Sequence, residues 1–299
     1  MAAFIRDSTL DAELGALLWL LVEARVPLLV AAGPSGTGKS TLLHALLAFL
    51  PSGATTHEVM GYAEDFAWLP EAASLGWRPH GFAGVHARPD PPGRVPERLG
   101  NAPGDAPANS RATPSTTVLL VHEFSDHLPI YTWGEPARIV VRALSLGYGL
   151  GATIHADSLE DVLDDLGGPD IGLTHDELSR LGVVVILRAL RESATGRLIR
   201  RVVAAHYVRP VARDAAGHVQ RLGPAVLATW DARTDRFEDF AWGIAPELAE
   251  RVGRRAGDFE AERSRRAAFL VRLAASGIVA PDDVDAAIAQ YRGAGPPAV

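Results

Sequence analysis

The chain has 299 residues, enough for one large domain or for a domain with a smaller appendage. Hydrophobic residues make up 47% of it and the formal net charge is −7, so neither free nucleic acid nor an anionic membrane gains from the body of the protein as a whole. Cysteine is absent, which excludes disulfides, iron–sulfur clusters and thiolate zinc and fits a reducing cytoplasm.

Asp11 to Ala24 reads as a helix packed on the main body, with Asp11 as its N-cap. Its apolar centre, Leu17 to Val22, lies between Glu13 and Glu23 and is far short of the ~18 residues a spanning helix requires. Residues 1–26 are thus expected to be a short N-terminal helical segment. Pro27 to Ala32 is a continuous apolar run stopped by glycine, as in a buried parallel strand, and Ser40 to Leu50 has a helical period that ends at Pro51. The stretch from 76 to 115 is rich in proline, glycine and small polar residues and reads as a long loop. Thr117 to Val121 is a second buried strand, Glu135 to Leu146 a helix with Pro136 at its first position, and Gly151 to Ile154 a third strand. Ser158 to Leu166 reads as a helix with Glu160 and Asp161 in its first turn, where carboxylates favour the positive end. Gly182 to Leu190 and Leu198 to Tyr207 are strands, the second at a more antiparallel edge. Helices follow at Pro246 to Val252, Asp258 to Ser276 and Pro281 to Tyr291.

Alternating strands and helices predict an α/β fold, a mostly parallel sheet covered by helices on both faces, with a helical C-terminal tail. The expected layout is a core over 27–210, a small antiparallel extension over 211–244 and a helical region over 245–299.

The strongest local signal is Gly33-Pro34-Ser35-Gly36-Thr37-Gly38-Lys39-Ser40, followed by Thr41. It satisfies G-x-x-x-x-G-K-[ST] between an apolar strand and an amphipathic helix, the context that this phosphate-binding loop requires. Glycines let the backbone curl so that several N–H groups converge on one anion, and the helix adds its own N-terminal donors. Lys39 then brings a mobile positive charge to the β/γ-phosphates of ATP, and Ser40 offers a hydroxyl to Mg²⁺. Hydrolysis needs an acid at the end of a neighbouring strand, and Glu123, after the apolar run of VLLVHE, is the candidate for aligning water and joining the magnesium shell. The histidines at 122 and 127 are five apart and follow a strand, which does not fit a helical H-E-x-x-H zinc motif. Glu64 and Asp65, in YAEDFAWLP, are either further magnesium ligands or solvated charges. His155, in GLGATIHADS, ends a strand expected to lie beside that of Glu123, where its imidazole either reports on the γ-phosphate or is structural. Arg188, Arg191, Arg197, Arg200 and Arg201 form a basic cluster read as a solvated hairpin surface.

The segments GPSGTGKSTLLHALL, VLLVHE, GEPARIVVRALSLGYGLGATIHADS and VVVILRALRESATGRLIRRVVAAHYV together resemble the secretion ATPase superfamily, the type II/IV secretion and pilus-assembly motors. The C-terminal part, GHVQRLGPAVLATWDARTDRFEDF and the helices after it, is similar to the archaeal-type members that drive archaellum or type IV pilus assembly. The resemblance implies a P-loop NTPase with a RecA-like sheet, Glu123 on the Walker B strand, His155 in the His box and Glu64–Asp65 in a shortened Asp box. It implies an Mg-dependent ATPase working as a homo-oligomeric ring, a hexamer, against a membrane platform protein, with no nucleic acid expected. The location implied is cytoplasmic, peripheral at the inner face of the membrane. The family carries an N-terminal domain ahead of the motor, and the resemblance leaves open a lone motor domain, a piece of a longer protein, or a reduced paralogue for which a separate subunit supplies the rest. The family's arginine segment before Walker B is replaced by the Pro/Gly-rich loop with Arg88, Arg94, Arg98 and Arg111. Two other functions are expected alternatives: a weakly hydrolysing regulatory or assembly paralogue, and a DNA-directed P-loop ATPase.

Overall fold

The computed structural model describes residues 1–33, 36–78, 112–192, 195–213 and 216–293. Pro34, Ser35, the four arginines at 88, 94, 98 and 111, and most of the loop expected over 76–115 lie outside them.

In chain order the elements are α1 (Ala2–Arg6), α2 (Ala12–Glu23), β1 (Leu28–Ala31), α3 (Lys39–Leu47), β2 (Thr55–Glu58), β3 (Thr117–Phe124), α4 (Glu135–Ala143), β4 (Gly149–Ile154), α5 (Leu159–Gly167) and α6 (His175–Leu178). They continue with β5 (Gly182–Arg191), β6 (Leu198–Val208), β7 (Ala212–Arg213), β8 (Val219–Gln220), β9 (Ala225–Asp231), β10 (Arg236–Asp239), α7 (Ala245–Arg251), α8 (Ala256–Ala275) and α9 (Pro281–Gly293). The molecule is a mixed α/β domain with helices flanking a central sheet. The sheet runs β10-β9-β6-β5-β1-β4-β3-β2. Its β5, β1, β4, β3 and β2 part is parallel, whereas β6, β9 and β10 continue it antiparallel.

Strand β1 and the first six residues of β5 are buried without a polar side chain because both faces are covered there. Leu28 and Val30 of β1 enter one core while Leu29 and Ala31 enter the other, and Val183/Val185 against Val184/Ile186 of β5 divide the same way. The first core is closed by α2, α3 and the C-terminal helices, the second by α4, α5, α6 and the segment around Phe66 and Leu69.

Several local expectations are met by local chemistry. The Asp11 side chain accepts from Leu14 N at 2.8 Å and starts α2, and Ser158 accepts from Asp161 N to start α5. The segment around 174–178 forms the unforeseen α6 through a capping box of Thr174 and Glu177. Helix α3 stops earlier than its sequence period suggests, at Leu47; the carbonyls of Phe49 and Leu50 beyond it accept from the Arg292 guanidinium instead.

The largest departure concerns the ends of the chain. Within the 211–244 region β7 and β8 pair antiparallel as a two-stranded sheet of their own, whereas β9 pairs with β6 and carries β10, which lengthens the main sheet. The C-terminal helices pack into the first core rather than trailing from it. Trp19 of α2 stacks on Phe49 at 4.6 Å and 4°, meets Phe269 of α8 edge-on and leans on Tyr291 of α9. Among the described residues, no helix is long and apolar enough to cross a membrane.

Candidate phosphate-binding site

The site lies at the carboxyl ends of the parallel strands, where open α/β sheets leave a crevice. Strand β1 ends at Ala31 and α3 begins at Lys39, so the glycine-rich segment is a strand-to-helix turn. Gly38 (φ 102°) and Gly36 (φ 78°) hold the left-handed backbone that lets the turn curl, a conformation that side chains disfavour. The nine-residue α3 then directs its first-turn donors towards the same hollow. Gly33 serves through its lack of a side chain, since a Cβ there would lie 2.4 Å from Oδ1 of Asp157.

Lys39 is 7% exposed. Its ammonium donates to the Ala32 carbonyl at 3.4 Å and lies 3.1 Å from Oε1 of Glu123. Topology makes that contact possible: β3 stands one strand away from β1, with β4 between them. The end of β3 is irregular. Its register with β4 shifts between Val121 and Phe124, and Thr132 N donates to the Glu123 carbonyl at 2.9 Å. The segment 126–132 therefore folds back on the strand and brings Tyr131 to the site. Ser40 and Thr41 in the first turn of α3, together with Glu123 and Tyr131, line a cleft of about 580 Å³. That size is within the ~300–1,000 Å³ usual for small-molecule sites.

Arg200 also reaches this cleft, contrary to its reading as hairpin surface. From β6, its Nε donates to the Thr37 carbonyl at 2.8 Å and its terminal nitrogen to that of Gly36 at 3.5 Å. A guanidinium that takes the outward carbonyls of the turn leaves its N–H groups for an anion and adds positive charge beside them. Arg201 is buried and pairs with both carboxylate oxygens of Asp235, at 2.8 and 3.0 Å. Successive strand positions thus send two guanidiniums different ways. A strand carrying adjacent arginines held this signal, but the partners, 163 residues away for Arg200, were not visible.

The other expected residues do not join the cleft. Glu64 is 6% exposed, and its carboxylate accepts from Met60 N, Phe66 N and the Trp68 indole, each at 2.9 Å. It therefore organises the loop in which Phe66 adopts φ 54°, a costly angle for an aromatic residue, and it is neither solvated nor among the residues that line the cleft. Asp65 is exposed and accepts from Ala67 N at 2.9 Å in a local turn. Among the described residues, no group of three histidines, aspartates or glutamates is gathered that could hold a metal by itself. His155 follows β4 on the correct rim, but its ring is exposed, 6.4 Å from that of His127, and outside the cleft lining. The same segment touches the glycine-rich turn through Asp157, which sequence reasoning passed over. The His122 ring contacts Glu58 on β2.

The donor set fits a nucleotide phosphate: a curled glycine turn, a helix N-terminus, a buried lysine and an arginine converge there. A carboxylate and a serine hydroxyl at the same place fit a magnesium ion shared with that phosphate. No family model matches the sequence. A protein of Methanocaldococcus jannaschii, itself uncharacterized, is 28% identical over 203 residues, which is 66% of this chain and 64% of that protein. The chain thus spans less than two thirds of the relative's length.

Proposed function

We propose that the protein is an Mg-dependent ATPase with a P-loop, RecA-like core, acting as a ring-forming motor of the type II/IV secretion and pilus-assembly kind. One observation carries the enzymatic part: Lys39 and Glu123, far apart in sequence and on separate elements, meet at 3.1 Å in a single cleft. In this reading the backbone of the glycine turn and the start of α3 hold the phosphates, and Lys39 neutralises them. Glu123 aligns a water on the γ-phosphorus and draws on its proton as the bond to the leaving ADP breaks, giving ADP and phosphate. Ser40 and Glu123 would hold magnesium, which supplies neutralisation of the developing phosphate charge. Arg200 steadies the turn from within the same chain. The ring, hexameric by resemblance, and its membrane platform rest on the sequence resemblance.

A second reading, a nucleotide-binding and weakly hydrolysing assembly partner, draws on a specific observation: Glu64, Asp65 and His155 do not line the cleft. Magnesium-dependent ATP turnover, measured against oligomer size for the intact chain, Lys39→Ala and Glu123→Gln, tests both. The motor reading expects turnover that rises with assembly, loss of binding in Lys39→Ala, and retained binding with turnover down by at least ~100-fold in Glu123→Gln. Tight binding with negligible turnover in every assembly state supports the regulator, and equal turnover in the intact chain and Glu123→Gln removes Glu123 from the mechanism.

A further inference from the structure

The phosphate cleft does not end at Thr41. Phe4, Thr41 and Arg200 line it and also line a second hollow of about 610 Å³, walled by Ser8, Arg197 and Ile199 among others. The two hollows share Phe4, Thr41 and Arg200, whereas Glu123 and Tyr131 belong to the first alone. The combined space has a direction, with the lysine–carboxylate pair at one end and Phe4 at the junction.

Phe4 belongs to α1, and its place is set by the segment that follows. Val202 N donates to the Thr9 carbonyl at 2.7 Å, and the Arg201 guanidinium donates to the Asp7 carbonyl at 3.2 Å. The start of the chain is thereby stitched to β6, the strand that carries Arg200. Phe4 is half-buried against the first core and is the one aromatic ring among the residues lining the second hollow.

We infer that this second hollow takes the nucleobase and ribose of the nucleotide, with the Phe4 ring as the stacking face for the base. The inference rests on the phosphate reading of the glycine turn. A triphosphate whose terminal group sits at Lys39 and Glu123 points its other end along α3 past Ser40 to Thr41, where the second hollow opens. An aromatic ring there gives a flat base the apolar face it prefers, and Ser8 and Arg197 offer polar groups to the sugar.

The test compares binding of ATP and of inorganic tripolyphosphate, both with magnesium, by calorimetry on the full chain. Phe4→Leu keeps apolar bulk and removes the stacking face. It should weaken ATP by roughly 5- to 150-fold while leaving tripolyphosphate unchanged, and Phe4→Trp should restore ATP affinity. A 2-aminopurine riboside triphosphate should be quenched on binding the wild type and less so on Phe4→Leu. Unchanged ATP affinity in Phe4→Leu overturns the assignment. So does an equal loss for both ligands, which marks damage to the fold or the phosphate cleft, and so does loss of discrimination in Tyr131→Leu instead. A wild-type chain that binds neither ligand overturns the phosphate reading itself, whereas one that binds both and ignores Phe4 overturns the base site alone.

Discussion

Glu64 shows how one carboxylate can be claimed by two different chemistries. In YAEDFAWLP it looks available to a metal, yet both oxygens are occupied by donors from its own loop. Removing it would leave two backbone N–H groups and an indole without their acceptor in a buried place, at ~1–3 kcal/mol for a typical orphaned group. We expect Glu64→Ala to lower unfolding free energy by about 2–4 kcal/mol in denaturant titration, with no change in magnesium dependence of nucleotide binding. A weakened magnesium response at unchanged stability would return Glu64 to the site. Arg200 makes the opposite point, for a residue taken as solvated surface reaches the carbonyls of Gly36 and Thr37 and the junction of two hollows.

At the scale of elements, helix α8 is held to α2 by more than apolar packing. Glu262 accepts from Arg266 at 2.8 Å and pairs with Arg265, while Arg266 also reaches Glu23 and lies 4.6 Å from the centre of the Trp19 ring. Burial pushes the Glu262 carboxyl up, but the hydrogen bonds from Arg266 and Arg265 outweigh it and hold the group below its ordinary value of 4.5. A carboxyl with a depressed folded pKa contributes stability above its unfolded pKa and loses it as pH falls through the folded one. Thermal unfolding followed from about pH 6 downwards should therefore show a midpoint that begins to fall as the pH passes below the ordinary carboxylate value. Glu262→Gln should be less stable at neutral pH and show a shallower fall, and identical profiles would take Glu262 out of the acid response.

For the molecule as a whole, the helices after β10 are part of the fold rather than an appendage. They bring Phe259, Leu270, Leu273, Val284 and Ile288 into the core that holds Trp19 and Phe49. Fully burying such side chains contributes about 1.5–3 kcal/mol each, so losing the set is comparable to the ~5–15 kcal/mol by which domains are stable. A chain ended after Arg255 is expected to lose its cooperative thermal transition, read by circular dichroism. If it melted sharply near the full-length midpoint, the C-terminal helices would be a separable unit after all.

Much of this was legible in the chain itself. The apolar runs at Leu28–Ala31, Thr117–Val121 and Gly182–Leu187 suit strands covered on both faces because they are short, whereas the equally apolar run of α2 lies within a longer helical segment. The glycines before Lys39 and Ser40 announce the strand-to-helix turn with its left-handed backbone, because the conformations it needs are local. Asp11 and Ser158 announce helix starts, because capping spans only three residues. Partnership across the sheet was legible only in part: the strand ending at His155 was expected beside that of Glu123, and β4 does pair with β3, but the side-chain contacts were not foreseen. That Glu123 meets Lys39 depends on β4 lying between β1 and β3. That Arg200 grips the turn depends on β6 pairing beside β5, and that Glu64 turns inward depends on where Trp68 and Met60 fall. Sequence periodicity states which residues seek burial or an anion; only the packed chain states which charge stands opposite which, because ion pairs and hydrogen bonds act over a few ångströms between segments far apart along the backbone.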